Sequence, residues 1–521
     1  MATLSSIRSP GVYIQELPAG SRPIEGVGTA IAAFVGITAD GPYDQAIKVA
    51  NWGQYTATFG MWVEGAYLPN AVYQYFNNGG GSAYITRIGS LSSDEGARAS
   101  AELTSALKAG QGVYRVEAKE PGGAGDTITV TVEPKHEQEP PPEGEQAPPA
   151  EEVFTLVVQR GDVVERYEGV TPRKGSNNVV TALAESALVQ ISELGGSSIV
   201  ERVPTSGALV LSGGASLPAR LTPDDYLGDV TARSGIAGLE ALDDVTIVAV
   251  PDLVAAYEAG QIDADGFKAV QSALITHCET QKDRVAILDT PRGLNAQQVL
   301  EWVKEKTRFS SAYATTYWPW LSFWDPLAGR ARLFPPSGAL AGIWGRNDDT
   351  RGVHKAPANE VVAGALDVEL NITRVEHDDL NPAGINVIRA FPGRGITVWG
   401  ARTLSDDTTW RYINVRRLFN YIESSVLRGT QWAVFEPNDL DLWQRIKRTV
   451  NGFLLGLWRD GALFGATPDQ AFYVKCDEET NPPDVVDAGY VVIEIGIAPV
   501  KPAEFVVFRV SQLPTGGAVQ E

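Results

Sequence analysis

Two kinds of hydrophobic spacing alternate along most of the chain. Thr29 to Ile37 (TAIAAFVGI), Val245 to Val250 (VTIVAV) and Val285 to Asp289 (VAILD) are short, continuous apolar runs. Runs of that length predict strands buried on both faces, as in a parallel sheet. The first ends in the turn Ala39-Asp40-Gly41-Pro42. Between the other two, Asp265 to Lys282 places Phe267, Val270, Leu274 and Cys278 at helical spacing, which completes a βαβ unit. Asn70 to Phe76 predicts a short helix stopped by Asn77-Asn78-Gly79-Gly80-Gly81, followed by a strand over Ala83 to Ile88. Asn295 to Thr307 predicts a further helix, and the aromatic stretch Tyr313 to Trp324 is expected to pack against the sheet.

From about residue 110 to 212 the pattern changes. Residues 113–118 and 127–132 alternate with period two across a glycine-rich turn at 121–126. Phe154 to Gln159 and Val163 to Tyr167 predict a hairpin turning at Arg160-Gly161-Asp162. Between these pairs, Glu133 to Glu152 holds seven Glu and six Pro, too polar and too proline-rich to enter a core, and reads as an extended or disordered loop. This block is expected to be a small β-rich insertion projecting into solvent.

Helical periodicity dominates the last third. Trp410 to Leu427 and Asp439 to Leu457 are amphipathic; in the second, Trp443, Ile446, Val450, Phe453, Leu454 and Leu457 share a face, with Arg445, Lys447 and Arg448 off it. Tyr490 to Ile497 then alternates, putting Val491, Ile493, Ile495 and Ile497 on one side of a strand. Two more short extended segments lie near the chain ends, Val12 to Leu17 on a Pro- and Gly-rich tether and Phe505 to Val510. Neither has an obvious neighbour to pair with, and unpaired strands attract other chains. The expectation is a subunit completed by its neighbours.

Composition narrows the function. At 521 residues the length prior is about three domains. A net charge of −21 argues against direct nucleic-acid binding, which needs clustered Lys and Arg. Cys278 and Cys476 are the only cysteines and the four histidines are scattered, so neither a disulfide framework nor a metal site is expected. No apolar stretch is long enough to span a bilayer and the first residues lack a signal-type apolar run, so synthesis in a reducing cytoplasm without membrane insertion is expected.

Motifs of catalysis are missing: there is no G-x-S-x-G elbow, P-loop or H-E-x-x-H, and Gly393-Arg394-Gly395 falls short of a dinucleotide loop. The five Asp-Asp pairs (224–225, 243–244, 348–349, 378–379, 406–407) sit among turn and cap formers, where Asp has a structural use. No catalytic residue, cofactor or metal is therefore expected. The competing readings are an α/β enzyme using Asp289 at a strand's carboxyl end, and an adhesive or glycan-binding surface protein using the insertion and the aromatics.

One resemblance accounts for the whole layout. Ser9-Pro10-Gly11-Val12-Tyr13, Ile24-Glu25-Gly26-Val27-Gly28-Thr29, Ala33-Phe34-Val35-Gly36, Gly79 to Tyr84, Ala286-Ile287-Leu288-Asp289 and Tyr317-Trp318-Pro319-Trp320 resemble segments of contractile tail sheath proteins, in order. So do Pro335-Pro336-Ser337-Gly338, Lys355 to Asn359, Asn414-Val415-Arg416-Arg417, Phe435-Glu436-Pro437-Asn438, Leu457-Trp458 and Gly461 to Gly465. The family is shared by contractile phage tails, R-type pyocins and extracellular contractile injection systems. The match takes in residues 9–90 and roughly 220–510 and leaves out 113–212.

The resemblance implies a mixed α/β, multi-domain subunit. An N-terminal arm (1–22) and a C-terminal arm (501–521) flank an inner, tube-facing domain (23–90 with 360–500). A middle α/β domain (91–112 with 213–359) carries the outer β-rich insertion (113–212). It implies hexameric rings stacked helically on an inner tube, with baseplate and terminal cap proteins as further partners, in a particle assembled in the bacterial cytoplasm. The donated strands would use Val12, Tyr13, Ile14, Gln15 and Leu17 at one end and Phe505, Val506, Val507, Phe508 and Val510 at the other. The receiving sheet would hold Val491, Ile493, Ile495 and Ile497, and Arg445, Lys447 and Arg448 are the expected inner-tube contact.

Overall fold

The computed structural model describes residues 23–89, 98–119, 123–134, 152–161, 163–196, 198–212 and 221–509. The chain divides into two compact units, one of 29–351 with 356–413, the other containing 23–28, 352–355 and 414–509. Val12 to Leu17 and Val510 lie outside the described residues.

The larger unit is built on a nine-stranded sheet in the order Glu360–Val361, Gly395–Val398, Ile385–Phe391, Ala314–Trp318, Val285–Leu288, Ile247–Ala249, Ile31–Gly36, Ser82–Arg87, Ala46–Val49. From Ile385–Phe391 through Ser82–Arg87 every pairing is parallel, and the outer strands join antiparallel. Continuous apolar runs occupy the middle because only there are both faces covered; Ala32 to Val35 and Val285 to Leu288 are buried throughout. The expected helices are present, over Leu68–Asn77 and Ala264–Gln281, the latter opened by the Asp263 carboxylate accepting from Gly266 N–H. The helix expected over 295–307 is α-helical for Ala296–Glu301 and then widens to a π-turn over Trp302–Thr307. The aromatic stretch is split into strands Ala314–Trp318 and Leu321–Asp325, with Tyr317, Trp318 and Trp320 fully buried.

This topology corrects the expected domain layout. Residues 31–87 supply three strands to the same sheet as 247–398, and 360–398 lie there too, so neither segment groups with the C-terminal helices. The TAIAAFVGI run is apolar on both faces, and the centre of this sheet is the position that buries both. Residues 23–28 do join the smaller unit: Ile24 enters its core and Val27 N–H donates to the Ser425 hydroxyl at 3.2 Å.

The insertion is two antiparallel sheets around a separate core of residues between Ala99 and Leu211. One is ordered Gly207–Val210, Thr129–Pro134, Phe154–Arg160, Val163–Val170; the other Ser100–Thr104, Gly112–Ala118, Val189–Glu193. It starts earlier than expected, because Ser100–Thr104 pairs with Gly112–Ala118. Arg160 of the hairpin turn is ion-paired with Asp40 at 2.6 Å.

The smaller unit holds two long helices, Ile413–Gly429 (entering at Asn414) and Leu440–Arg459, and a two-stranded antiparallel sheet of Phe472–Lys475 and Glu494–Ile497. The expected strand over 490–497 is shortened to its second half. Val492 N–H donates to the Asn481 carboxamide oxygen at 2.6 Å and Val492 C=O accepts from its nitrogen at 3.0 Å, while Tyr490 C=O accepts from Asn438. Asparagine side chains thus take the hydrogen bonds a neighbouring strand would have made.

Candidate assembly surfaces

The carboxyl ends of the parallel strands are where α/β folds place their chemistry. Here two buried carboxylates fill that region with structure. Asp252, fully buried after the Ile247–Ala249 strand, accepts backbone N–H groups from Ile37 at 2.6 Å, Tyr67 at 2.5 Å and Leu68 at 3.0 Å. It thereby fills the cleft between neighbouring strand ends and the N-terminus of the Leu68–Asn77 helix, the position an anionic ligand would take. Burial raises its pKa to about 6. Asp289, the residue singled out for an enzyme, accepts from Ser337 at the start of the Ser337–Arg351 helix, and burial raises its pKa to about 7. No histidine, lysine or cysteine is hydrogen-bonded to either carboxylate among the described residues. Three of the Asp-Asp pairs serve as caps or surface ion pairs: Asp225 closes a capping box with Thr222, Asp407 accepts from Thr409, and Asp244 pairs with Lys48 at 2.6 Å. The other two depart from the expected turn role, lying within the Ser337–Arg351 and Arg374–Leu380 helices. Both cysteines are buried and free, and the described residues contain no cluster of three metal-ligating side chains.

Exposed apolar groups gather in the smaller unit. Phe505, Val506, Val507 and Phe508 are 70–86% exposed and belong to no strand of their own chain. Leu427, Val434, Phe435 and Phe464 are also largely exposed. Val491, Ile493, Ile495 and Ile497 do share a face, packed on the core of Leu442, Trp443, Ile446, Val450 and Leu454. Along Phe472 to Val474 runs a groove of about 420 Å³ whose other wall is Lys447, Asn451, Gly452 and Leu455. A side-chain carbon added at Gly452 or Gly456 would meet nothing within 4 Å, so the helix surface there is bare. That groove was missed in the sequence, although two glycines four apart in an amphipathic helix were a legible sign of close approach by another chain.

The three basic residues are not one cluster. Arg445 is held by Glu436 at 3.2 Å and lies over the Trp432 ring at 4.5 Å. Lys447 lines the groove, and Arg448 is exposed. With about 100° between successive helical residues, Lys447 and Arg448 point in different directions.

Comparison with known proteins fits this picture. The family model described as the phage tail sheath protein central domain matches residues 222–404, and that of the phage tail sheath C-terminal domain matches 405–512, together more than half of the chain. The chain belongs to the phage tail sheath family. It is 25% identical over 319 residues to a tail sheath protein of Vibrio phage KVP40, an alignment taking in 58% of this chain and 46% of that one. Against a tail sheath protein of Salmonella phage ViI it is 27% identical over 67% of this chain and 52% of the relative. The chain thus spans about half the length of these curated relatives. In fold it is similar to the sheath of an extracellular contractile injection system, PVC, in its contracted state, with a TM-score of 0.58, 23% identity and coverage of 97% of this chain and 98% of that one.

Proposed function

We propose that this chain is the structural sheath subunit of a contractile injection machine, without catalytic activity. Subunits form six-membered rings stacked around an inner tube, and the stack shortens to drive the tube into a target. The observation that carries the reading is the Phe505–Phe508 segment, which is apolar, exposed and unpaired, in the same unit as a two-stranded sheet bordered by a groove of mixed lining that includes Leu455, Phe472 and Val474. A strand donated by a neighbour satisfies both at once, since β-augmentation supplies backbone bonds and pockets for alternate side chains. About five such bonds at roughly 1 kcal/mol each make a link of several kcal/mol. Links of that strength survive while neighbouring subunits turn past one another.

Val12, Tyr13, Ile14, Gln15 and Leu17 form the second donated strand in this reading, and Val510 extends the first. The 414–509 unit faces the tube, with Lys447 and Arg448 as the cations available to it. Baseplate and cap proteins terminate the stack, and assembly takes place in the bacterial cytoplasm.

Electron microscopy of the full chain beside one starting at Gly20 and one ending at Pro502 tests this. Tubes or stacked rings formed by the full chain and lost in both truncations support strand exchange. Full-length chains that stay monomeric with tube and baseplate proteins present overturn it.

A further inference from the structure

A cavity of about 300 Å³ opens in the larger unit between residues 62–70 and segments that follow the strands Ile247–Ala249, Val285–Leu288 and Ala314–Trp318. Its wall includes Asn70, in the first turn of the Leu68–Asn77 helix, which is only 3% exposed. Among the described residues no hydrogen bond reaches the Asn70 carboxamide. Asn70 is not among the side chains whose polar atoms are sealed off without a partner, so its carboxamide faces the cavity and bonds to whatever occupies it.

The other polar groups are already neutralised in pairs. Glu258 takes the Tyr67 hydroxyl at 2.6 Å and the Arg292 guanidinium at 3.3 Å, while Asp325 pairs with Arg332 at 2.9 Å. A charged ligand would have to break one of these pairs. A wholly apolar one would strip water from four ionic side chains and Asn70 without replacing it. The apolar part of the wall is aromatic. Trp62 is steadied by Trp52 at 4.9 Å and the edge of Tyr73 at 5.5 Å, and Phe334 meets the edge of Tyr67 at 5.9 Å.

We propose that this cavity binds a single neutral pyranose ring. A pyranose carries one apolar face for Trp62, and its hydroxyls both donate and accept, matching a carboxylate beside a guanidinium and a free carboxamide. The volume is at the low end of small-molecule sites, which suits one ring rather than a chain. Ordered water is the other molecule that satisfies a buried amide, and it is what the test must distinguish.

Saturation-transfer NMR on the full chain, with glucose, galactose and N-acetylglucosamine as probes, reads this directly. At least one sugar is expected to bind in the millimolar range. Asn70→Ala and Trp62→Ala, each confirmed folded by its melting temperature, are each expected to weaken it about tenfold, the factor one lost hydrogen bond or ring contact represents. Trp324→Ala, exposed and outside the cavity, is expected to leave binding unchanged. No transfer from any of the three sugars means the cavity holds only water, and overturns the proposal. Transfer that persists in both cavity variants also overturns it. So does a self-assembly defect in Asn70→Ala without sugar binding in the parent chain, which would mean that a neighbouring subunit fills the cavity.

Discussion

The Asp289 carboxylate accepts the Ser337 hydroxyl at 2.5 Å and the Ser337 N–H at 3.1 Å, tying the end of the Val285–Leu288 strand to the first turn of the Ser337–Arg351 helix. Burial raises its pKa from the ordinary 3.8 to about 7, so folding takes up a proton between those values. Its contribution to stability is therefore complete at low pH and declines as pH rises from about 4 to about 7. Asp289→Asn keeps an acceptor for Ser337 and cannot titrate. Urea midpoints across this range are expected to show the variant gaining on the parent as pH rises. Parallel profiles would mean that Asp289 is ionised throughout in the folded chain.

Asp252 answers to a different test because three N–H groups converge on it. An asparagine offers one acceptor oxygen and turns an N–H₂ group towards the remaining donors. Asp252→Asn is expected to cost about 1–3 kcal/mol for each donor left unpaired, seen as a lower urea midpoint with unchanged slope. A near-neutral result would show that the strand ends hold together without it.

The Leu68–Asn77 and Ser337–Arg351 helices approach so closely that glycine is required where they touch. A β-carbon on Gly338 would lie 2.3 Å from Ala71 O, and one on Gly342 2.3 Å from Tyr75 O. Both obstacles are backbone and cannot swing aside. Gly338→Ala and Gly342→Ala are each expected to destabilise by about 1–3 kcal/mol, more than the helix-propensity gain returns. Thermal melts that rise instead would show that the helices separate at no cost.

Sequence pattern carried the buried strands and long helices because each needs only its own periodicity. The run Thr29 to Ile37 announced a strand covered on both faces, and Asp439 announced the start of the Leu440–Arg459 helix. Which strands pair was less legible: residues 31–87 join 247–398 through parallel contacts more than two hundred positions apart, and no local signal encodes them. The Tyr490–Ile497 strand was overcalled because alternation shows a face, whereas Asn481 and Asn438 decide where the backbone bonds go. Among the basic residues, spacing could place Arg445 off the apolar face but could not show Glu436 and Trp432 holding it.

That engagement determines how the tube contact should be tested. Reversing Arg445 would break an ion pair and a ring contact inside the subunit, so its effect on assembly would be mixed with local disruption. Arg448→Glu avoids this, being exposed and in no ion pair among the described residues, whereas Lys447→Glu, also unpaired, alters the groove proposed for the donated strand and needs ring assembly without the tube protein as its control. Each is expected to leave the unfolding free energy within about half a kcal/mol of the parent and to reduce co-sedimentation with the tube protein. The difference from the parent should shrink at higher salt if charge carries the contact, because salt screens it. Undiminished co-sedimentation with both reversed would move the tube contact elsewhere on the unit.

The C-terminal segment separates assembly from folding most cleanly. Phe505 to Phe508 bury almost nothing within their own chain, so changing them removes no core contact. Val506→Lys with Phe508→Lys is expected to leave the unfolding midpoint of the isolated chain unchanged, because surface substitutions away from packed features stay within about 0.5 kcal/mol. In a neighbour's groove the same change would place two ammonium groups among Leu455, Phe472 and the cationic Lys447, with Asp469 the one carboxylate in the lining, so at least one charge would be left unpaired. Sedimentation velocity and electron microscopy are therefore expected to show folded monomers in place of rings. If the doubly substituted chain still assembles, backbone pairing alone is enough to hold the donated strand; if its unfolding midpoint falls, the segment folds back onto its own subunit when free.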